Sequence, residues 1–338
     1  MATFQISRLK EESEKGSAMS AQTQLYVFLD LCPFCGSDEC ETIRREAHAF
    51  PKGNRYFDPY RSDNVALRRC NLCEFAFVDK LPRSDEFFAK LYNNGVWTNR
   101  DWSAEFLYNH KQLILREARK CILRYCHRGT LLDVGTRTGV FLHLMSDHFR
   151  VRGVEVDESA VVFARSKGLD VVSAPFLKAD FGSERFDVIT YIDVLEHLPE
   201  PRRVLERSIG LLNPHGLLYI KVPNYRGQIV KQDLLNRLRL STEGVCENYV
   251  HINHFTRWSL SRQLERLGLK VLEAGFTAPE LLSVTQPNPV RVRLKRLTSQ
   301  VAYRSITRAL NSLAKVTGRE LGLNVYVLAR KEPCVVFG

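Results

Sequence analysis

Two pairs of cysteines near the N-terminal end have the spacing of metal ligands. Cys32 and Cys35 form one C-x-x-C knuckle, and Cys70 and Cys73 form a second, with 34 residues between the two knuckles. Four thiolates spaced in this way can surround a zinc ion tetrahedrally and leave no coordination position open, which makes the site structural. A redox pair or free thiols would be the alternative, and the presence of two matched knuckles disfavours it. The sequence therefore predicts a structural zinc site.

A glycine-containing turn further along the chain has the composition of a cofactor-binding loop. Asp133, Gly135 and Gly139 belong to the stretch D-V-G-T-R-T-G, which includes the end of a short apolar run. Glycine lets the backbone approach a ligand closely, and the N-terminus of a following helix offers unpaired N–H groups to a negative group. Glu155 stands about twenty residues after the turn, where a carboxylate can accept both hydroxyls of a ribose.

This layout alone permits two classes of nucleotide cofactor. A dinucleotide site has the spacing G-x-G-x-x-G. The glycines here are Gly135 and Gly139, and position 142 is a leucine, so the dinucleotide pattern fits poorly.

Residues that could move a proton follow a later apolar run, F-D-V-I-T-Y-I. Asp193, Glu196 and His197 are spaced i, i+3, i+4, which gathers them on one side of a helical turn. His197, with Glu196 beside it, is a candidate general base because an imidazole titrates near neutral pH. His251 and His254 occur in V-H-I-N-H-F, and His254 is the second candidate base. The alternatives are structural: the Glu–His pair could cap backbone groups, and His254 could be a half-buried histidine bonded to the backbone.

The elements that must position these residues alternate between strand and helix from residue 129 onward. Strands joined by helix-length connections form a parallel, doubly wound sheet. The sequence predicts the α/β class, with a mostly parallel sheet of seven strands. The predicted strands are 130–135, 151–156, 169–174, 186–193, 216–222, 269–276 and 323–330.

Composition and periodicity divide the chain into four parts. The predicted parts are a disordered tail at 1–24, a zinc-ribbon-like module at 25–80, a helical connector at 81–128 and a sheet domain at 129–338. Within the sheet domain we expect a lid at 224–255 and a basic helical insertion at 288–319.

The motifs, taken in order, resemble those of class I methyltransferases. DVGTRTG resembles their first motif, and FDVITYIDVLEHLPEPRRVLERSIGLLNPHGLLYIKVPN resembles their fourth and fifth strands with the helix between them. VHINHFTRWSLSRQLERLGLKVLEAGF resembles the following segment in the subfamily of ubiquinone-pathway O-methyltransferases and many sugar and natural-product methyltransferases. The resemblance covers about residues 129–276. The ordered set is highly specific, whereas the first motif alone would be weak.

This resemblance implies that the cofactor is S-adenosylmethionine. The implied contacts are Asp133, Gly135 and Gly139 for the methionine part, Glu155 for the ribose, Phe176 beside the adenine and Asp193 at the cofactor-facing edge of the fourth strand.

Two positions depart from the family pattern. Arg137 replaces the middle glycine of the first motif, and Pro175 replaces an acid that often precedes the adenine contact. The Arg137 side chain could point to solvent, pair with the cofactor carboxylate or block binding. A sheet that keeps the fold without the cofactor is therefore an alternative.

The resemblance also bears on the substrate and on further metals. In ubiquinone-pathway relatives a similar acid–acid–His group can bind a divalent metal, which makes Asp193, Glu196 and His197 a candidate metal site. Several sugar methyltransferases of antibiotic and surface-glycan pathways resemble this layout, with a zinc module ahead of the sheet. We expect a small-molecule or glycan intermediate as acceptor, methylated at a hydroxyl. The alternatives are an RNA or protein methyltransferase and a non-catalytic binding protein.

The positive charge of the chain is concentrated in one segment. The formal net charge is +11, and eight basic residues with no acidic one lie between Arg291 and Arg319. This segment could be a solvated amphipathic face, a contact with an anionic membrane that carries a lipid-linked acceptor, or an RNA-binding surface. RNA is less favoured because the predicted ribbon is not strongly basic. The polar N-terminal stretch, and the lack of an apolar run long enough to span a membrane, predict a cytoplasmic protein.

Overall fold

The computed structural model describes residues 25–46, 65–83, 111–239, 251–278 and 305–332, together with Phe87, Ser103 and Phe106. Several sequence predictions lie outside these residues. They are the tail at 1–24, most of the helical connector before residue 111, the centre of the lid at 240–250 and the start of the basic insertion at 288–304.

Short antiparallel strands hold the cysteine knuckles. The first strands of the described chain are β1 Tyr26–Phe28, β2 Cys40–Glu46, β3 Val65–Cys70, β4 Ala76–Val78 and β5 Lys80–Pro82. β1 pairs with β5, while β2, β3 and β4 form a second antiparallel sheet. The first knuckle precedes β2, and the second connects β3 to β4.

A large sheet forms the centre of the molecule. The remaining strands are β6 Gly129–Val134, β7 Phe149–Glu155, β8 Val171–Ser173, β9 Phe186–Ile192, β10 Leu212–Pro223, β11 Asn253–His254, β12 Leu269–Phe276 and β13 Asn324–Lys331. All of these except β11 form one seven-stranded sheet in the order β12-β13-β10-β9-β6-β7-β8. The strands from β6 to β10 are parallel, and β13 lies antiparallel between β10 and β12. The predicted α/β fold with a mostly parallel, seven-stranded sheet is confirmed.

Helices cover both faces of this sheet. They are α1 Gln112–Leu123, α2 Val140–Met145, α3 Glu158–Ser166, α4 Pro201–Leu211, α5 Tyr225–Arg237, α6 Arg257–Arg266 and α7 at 305–317. In β6, Leu132 and Val134 belong to one hydrophobic cluster and Leu131 belongs to another. Because successive side chains of a strand point to opposite faces, an apolar strand of this kind is buried on both sides.

The cysteine-bearing sheet is joined to the large domain by β11, which extends it beyond β4. Asn253 pairs with Phe77, and His254 pairs with Ala76. The predicted lid at 224–255 therefore begins as α5 and ends as a strand of the cysteine-bearing sheet.

Aromatic packing explains why the end of this segment docks on the module. The rings of Phe75 and Phe255 lie 5.2 Å apart between centroids, and Phe75 also contacts Phe34 and Phe77. Phe75 and Phe255 are both fully buried. The module and one face of the large sheet share a single hydrophobic cluster, so they pack as one body.

The described part of the basic segment is a helix with one buried face. Thr307, Asn311 and Ala314 face the protein, whereas Arg308 and Lys315 are exposed. Among the helices of the described residues, none combines the length and apolar character that crossing a membrane requires.

Candidate functional site

The glycine turn after β6 lies directly against the segment that follows β9. Gly135 has a φ of +71°, a conformation that L side chains rarely adopt. A Cβ atom built there would lie 2.5 Å from Cγ2 of Val194. Gly135 is therefore required both by its backbone conformation and by the close approach of Val194. This contact places the predicted cofactor loop beside the residues predicted to carry out chemistry.

Arg137 has a backbone conformation that suits glycine. Its φ is +54°, and its N–H donates to Oε2 of Glu155 at 2.8 Å. A non-glycine residue in this left-handed region costs about 1–2 kcal/mol. The turn therefore carries local backbone strain.

The carboxylate of Glu155, at the end of β7, is held by backbone donors. Besides Arg137, the N–H groups of Val156 and Asp157 donate to Oε1 at 2.7 and 3.0 Å. The two oxygens of a carboxylate offer about four acceptor positions, so these three bonds leave capacity for a ribose hydroxyl. The geometry fits the ribose contact predicted for Glu155.

Asp133 is buried at the end of β6, next to the glycine turn. Its Oδ1 accepts a hydrogen bond from Oγ1 of Thr190 at 2.6 Å. Burial raises the pKa of Asp133 to about 7, because a buried carboxylate is poorly solvated. An approaching ammonium group, such as that of a methionine moiety, would favour the ionised form.

Phe176 lies in the hydrophobic core. Its ring is only 6% exposed and packs against Tyr191 and Phe181, with the guanidinium of Arg207 above it. Its position after β8 agrees with the sequence prediction. The structure, however, offers little of the ring surface for stacking on an adenine.

Asp193 forms ion pairs with two lysines, and its predicted contact with the cofactor stays a prediction. Lys111 donates to Oδ2 at 2.5 Å, and the fully buried Lys221 donates to Oδ1. Burial by itself would disfavour the charged carboxylate, but Lys111 and Lys221 lower the pKa of Asp193 below its ordinary value. The sequence analysis missed both lysines. The signal for Lys221 was a charged residue inside the apolar run G-L-L-Y-I-K-V.

Glu196, His197 and His251 come together in what we call the histidine cluster. One potential ligand atom from each residue lies within 4.8 Å of those of the other two. His197 Nε2 is 3.9 Å from Glu196 Oε1, and the rings of His197 and His251 are 5.0 Å apart between centroids. Sequence spacing predicted the group Asp193, Glu196 and His197. In the structure the third member of the group is His251, and Asp193 is paired with the two lysines.

Two members of the histidine cluster have shifted pKa values. Glu196 is 1% exposed, and burial followed by the charge of Asp193 raises its pKa to about 8. Burial, followed by the nearby His197, lowers the pKa of His251 well below its ordinary value. At neutral pH, His251 is therefore neutral, with a ring nitrogen free of the added proton.

His254, the second predicted base, is buried in β11 and lies outside the histidine cluster. It is 5% exposed, and burial lowers its pKa to about 4. Its ring lies edge-on to Tyr225. The structure therefore favours His251 over His254 as the accessible imidazole of this segment.

The four predicted zinc ligands, which we call the cysteine cluster, also come together. The Sγ atoms of Cys32 and Cys73 are 3.6 Å apart, and those of Cys35 and Cys70 are 3.5 Å apart. All four sulfur atoms lie within 4.8 Å of one another. A tetrahedral zinc site with Zn–S bonds of 2.3 Å has sulfur atoms about 3.8 Å apart, so the spacing fits the metal. Hydrogen bonds of the Cys32 thiol to the sulfur atoms of Cys35 and Cys73 raise the pKa of Cys32, which a bound dication would reverse.

Comparison with known proteins identifies the central part of the chain. Residues 108–274, about half of the chain, match the family model described as a methyltransferase domain. The chain is 27% identical over 154 residues to a ubiquinone biosynthesis O-methyltransferase of Coxiella burnetii, covering 41% of this chain and 64% of the relative. It is 26% identical over 152 residues to the enzyme of the same name from Glaesserella parasuis, covering 40% of this chain and 64% of that relative. The match thus spans less than two thirds of either relative.

Among solved structures, a SAM-dependent methyltransferase from Archaeoglobus fulgidus is similar with a TM-score of 0.44 and 19% sequence identity, covering 68% of this chain and 98% of that chain. The family match covers the glycine turn, the sheet through β10, and the histidine cluster. The chain therefore belongs, through this domain, to the class I S-adenosylmethionine-dependent methyltransferases.

Proposed function

We propose that the protein transfers a methyl group from S-adenosylmethionine to a hydroxyl of a small-molecule or sugar intermediate. The observation that carries the proposal is the contact between Gly135 and Val194, which joins the cofactor turn to the histidine cluster. In an open α/β sheet, ligands bind at the carboxyl ends of the strands. The proposed site lies at this edge.

The residues that would hold the cofactor follow β6 and end β7. Asp133 would attract the methionine ammonium, Gly135 and Gly139 would admit the backbone close to the ligand, and Glu155 would accept the ribose hydroxyls. When bound, S-adenosylmethionine supplies an electrophilic methyl group on a positively charged sulfur. The role of these residues is to hold that group in line with the acceptor.

The proton of the acceptor hydroxyl would go to an imidazole of the histidine cluster. His251 or His197 would accept this proton on a ring nitrogen while the acceptor oxygen takes the methyl group. Glu196 lies beside His197; as positive charge develops on the ring, the raised pKa of Glu196 would fall and its carboxylate form would stabilise the protonated ring. His197 and His251 are both partly exposed, so an acceptor could reach either ring.

Two metals belong to the proposal. The cysteine cluster would hold a structural zinc ion, which leaves no open coordination position. A divalent cation at the histidine cluster is the alternative to a histidine base: it would use Glu196, His197 and His251 as ligands, and its charge would lower the pKa of the acceptor hydroxyl in place of a base. This set of ligands differs from the set expected from the sequence, which contained Asp193 instead of His251.

The choice of a small hydroxyl acceptor is supported by the relatives, which are named as ubiquinone biosynthesis O-methyltransferases. RNA is the main alternative acceptor, because Arg308, Lys315 and Arg319 are exposed on and after α7. Replacing these three residues with glutamine would abolish salt-sensitive RNA binding if RNA were the substrate. If RNA binding is weak in the parent and unchanged in the variant, a small-molecule acceptor is supported.

Calorimetric titration with S-adenosylmethionine tests the proposal. We expect micromolar binding that Glu155→Ala weakens roughly tenfold or more, because hydrogen bonds to a charged group contribute about 1.5–3 kcal/mol. Glu158→Ala, an exposed acid three residues later, is the matched control and should leave binding unchanged. If the folded, zinc-loaded protein binds no cofactor, the domain acts as a non-catalytic binding protein.

A further inference from the structure

The turn that carries Glu196 and His197 has little stability of its own. It is a single 3-10 turn, Leu195–His197, and we call it the reactive turn. The residue two positions before it, Asp193, has a φ of +59°, which is strained for a non-glycine residue. A three-residue turn makes too few internal hydrogen bonds to fix its side chains. Contacts from elsewhere must hold the reactive turn in place.

Those contacts come from Ile252 and Asn253, immediately after His251. The N–H of Ile252 donates to the carbonyl of Glu196 at 3.0 Å. The side-chain amide of Asn253, which is buried, donates to the carbonyls of Leu195 and Leu198 at 3.1 and 2.7 Å. An amide group has two donors, so Asn253 can bond both carbonyls at once. These bonds fix the reactive turn relative to His251.

The same two residues are held on their other side by the cysteine-bearing sheet. The carbonyl of Ile252 accepts from the N–H of Val78 at 3.1 Å. Asn253 pairs with Phe77 in the ladder between β11 and β4. The backbone of residues 252–253 thus links β4 directly to the reactive turn.

The position of β4 depends in turn on the second cysteine knuckle. Phe75 follows Cys73 by two residues, its carbonyl accepts from the N–H of Cys70 at 2.9 Å, and its ring packs on Phe255. The carbonyl of Cys73 also accepts a hydrogen bond from Gln263 of α6 at 3.2 Å. An unbroken series of contacts therefore runs from the cysteine cluster to the histidine cluster.

We infer that Asn253 is a positioning residue for the proposed methyl transfer, and that the cysteine-bearing module acts through it to hold Glu196, His197 and His251 in register. The inference rests on the proposed function for the role of the histidine cluster. It assigns the module a part in the reaction beyond stabilising the fold. Asn253 itself touches neither cofactor nor acceptor in this scheme.

The test follows the imidazole resonances of ring-labelled histidine by NMR, without any acceptor. The chain has nine histidines, and His197→Gln and His251→Gln assign the two resonances of interest. Asn253→Ala removes both donors, whereas Asn253→Ser keeps one. Asn213→Ala is the matched control, because Asn213 donates to Asp187 at the amino ends of β9 and β10, the opposite end of these strands from the histidine cluster.

We expect Asn253→Ala to shift the resonances of His197 and His251 and to leave those of His148 and His215 in place. Asn253→Ser should shift them less, and Asn213→Ala not at all. Hydrogen exchange of the His197 amide should become roughly tenfold faster or more in Asn253→Ala, because its turn is freed. Removing the metal from the cysteine cluster by Cys73→Ser, which leaves the residues of the histidine cluster unchanged, should shift the same two resonances.

Unchanged His197 and His251 resonances in both Asn253 variants, with the turn still protected from exchange, would overturn the inference. The same holds if Asn213→Ala moves them equally, since the effect would then be general destabilisation. Cofactor binding, measured on the same samples, should change by less than about twofold in Asn253→Ala, because Asn253 contacts neither Gly135 nor Glu155. A parent protein that binds no cofactor but shows the expected shifts would refute the proposed function and the link to methyl transfer, and would support only the positioning of the histidine cluster by Asn253 and the module.

Discussion

The cysteine cluster and the histidine cluster are built in opposite ways. Each cysteine pair sits within one turn of chain, and a short antiparallel ladder brings the two pairs together. The histidine cluster instead combines a strained turn after β9 with a residue that precedes β11, and backbone bonds between the two segments hold them together. The comparison shows that local spacing encodes one site, whereas tertiary packing assembles the other.

The largest expected effect tests whether four thiolates, brought together by local spacing, hold a zinc ion on which the fold depends. Cys73→Ser removes one of four thiolates, so zinc should be lost and the free energy of unfolding should fall by about 5 kcal/mol or more, since metal binding contributes directly to folding. Bound zinc is measured by elemental analysis and stability by denaturant unfolding. Cys126→Ser, at a half-buried cysteine outside the cluster, should change neither. If Cys73→Ser retains its zinc and its stability, the four cysteines are not a zinc site and local spacing does not encode one.

The same contrast explains how much the sequence could predict. Apolar periodicity predicted the seven strands, because the central strands are buried along most of their length, while the edge strands β8 and β12, although only partly buried, keep short apolar runs. The C-x-x-C spacing and the glycine turn predicted the cysteines and the cofactor loop, because their geometry is set within a few residues. Neither signal carries information about which distant segment packs on the reactive turn.

The contacts that the sequence did not predict are long-range. Asp193 was grouped with Glu196 and His197 by helical spacing, but Lys221 from β10 and Lys111 before α1 bind it instead. His251 was assigned to a lid, whereas pairing of the next residues with β4 brings it to the cluster. A lysine inside an apolar strand is the one local feature that pointed to a buried acidic partner nearby.

A second experiment measures how much each ion pair of Asp193, next to the histidine cluster, contributes to stability. Lys221→Met should lower the free energy of unfolding by about 3 kcal/mol, because it removes a fully buried partner from a carboxylate with little solvent access. Lys111→Met, at a partly exposed partner, should cost about 1 kcal/mol. Denaturant unfolding of both variants measures the difference.

The double variant Lys221→Met with Asp193→Asn is the control for this experiment. It removes the buried charge together with its partner, and we expect it to recover most of the loss. Equal costs for Lys221→Met and Lys111→Met would show that burial of the pair contributes nothing.

A third experiment uses pH to separate the cofactor turn from the histidine cluster. Asp133 has a pKa of about 7, so it is mostly neutral at pH 6 and mostly ionised at pH 8. Only the ionised form attracts the methionine ammonium, which itself loses its proton near pH 8, so S-adenosylmethionine should bind about fourfold more tightly at pH 8 than at pH 6. Calorimetry of the parent and of Asp133→Asn measures the trend. The variant should bind weakly with little pH dependence, and a trend that persists in it would assign the titration to another group.

The smallest effect compares one strained residue from each region. Arg137 in the cofactor turn and Glu74 after the second knuckle both have left-handed φ values, +54° and +56°, at positions that suit glycine. Arg137→Gly and Glu74→Gly should each raise the free energy of unfolding by about 1 kcal/mol, the strain relieved less the added freedom of the unfolded chain. Arg137→Ala keeps the strained backbone and should bring no gain in thermal or denaturant unfolding. If Arg137→Gly instead destabilises the protein while Glu74→Gly stabilises it, the Arg137 side chain contributes more than its backbone costs, and the cofactor turn has been adapted around the arginine.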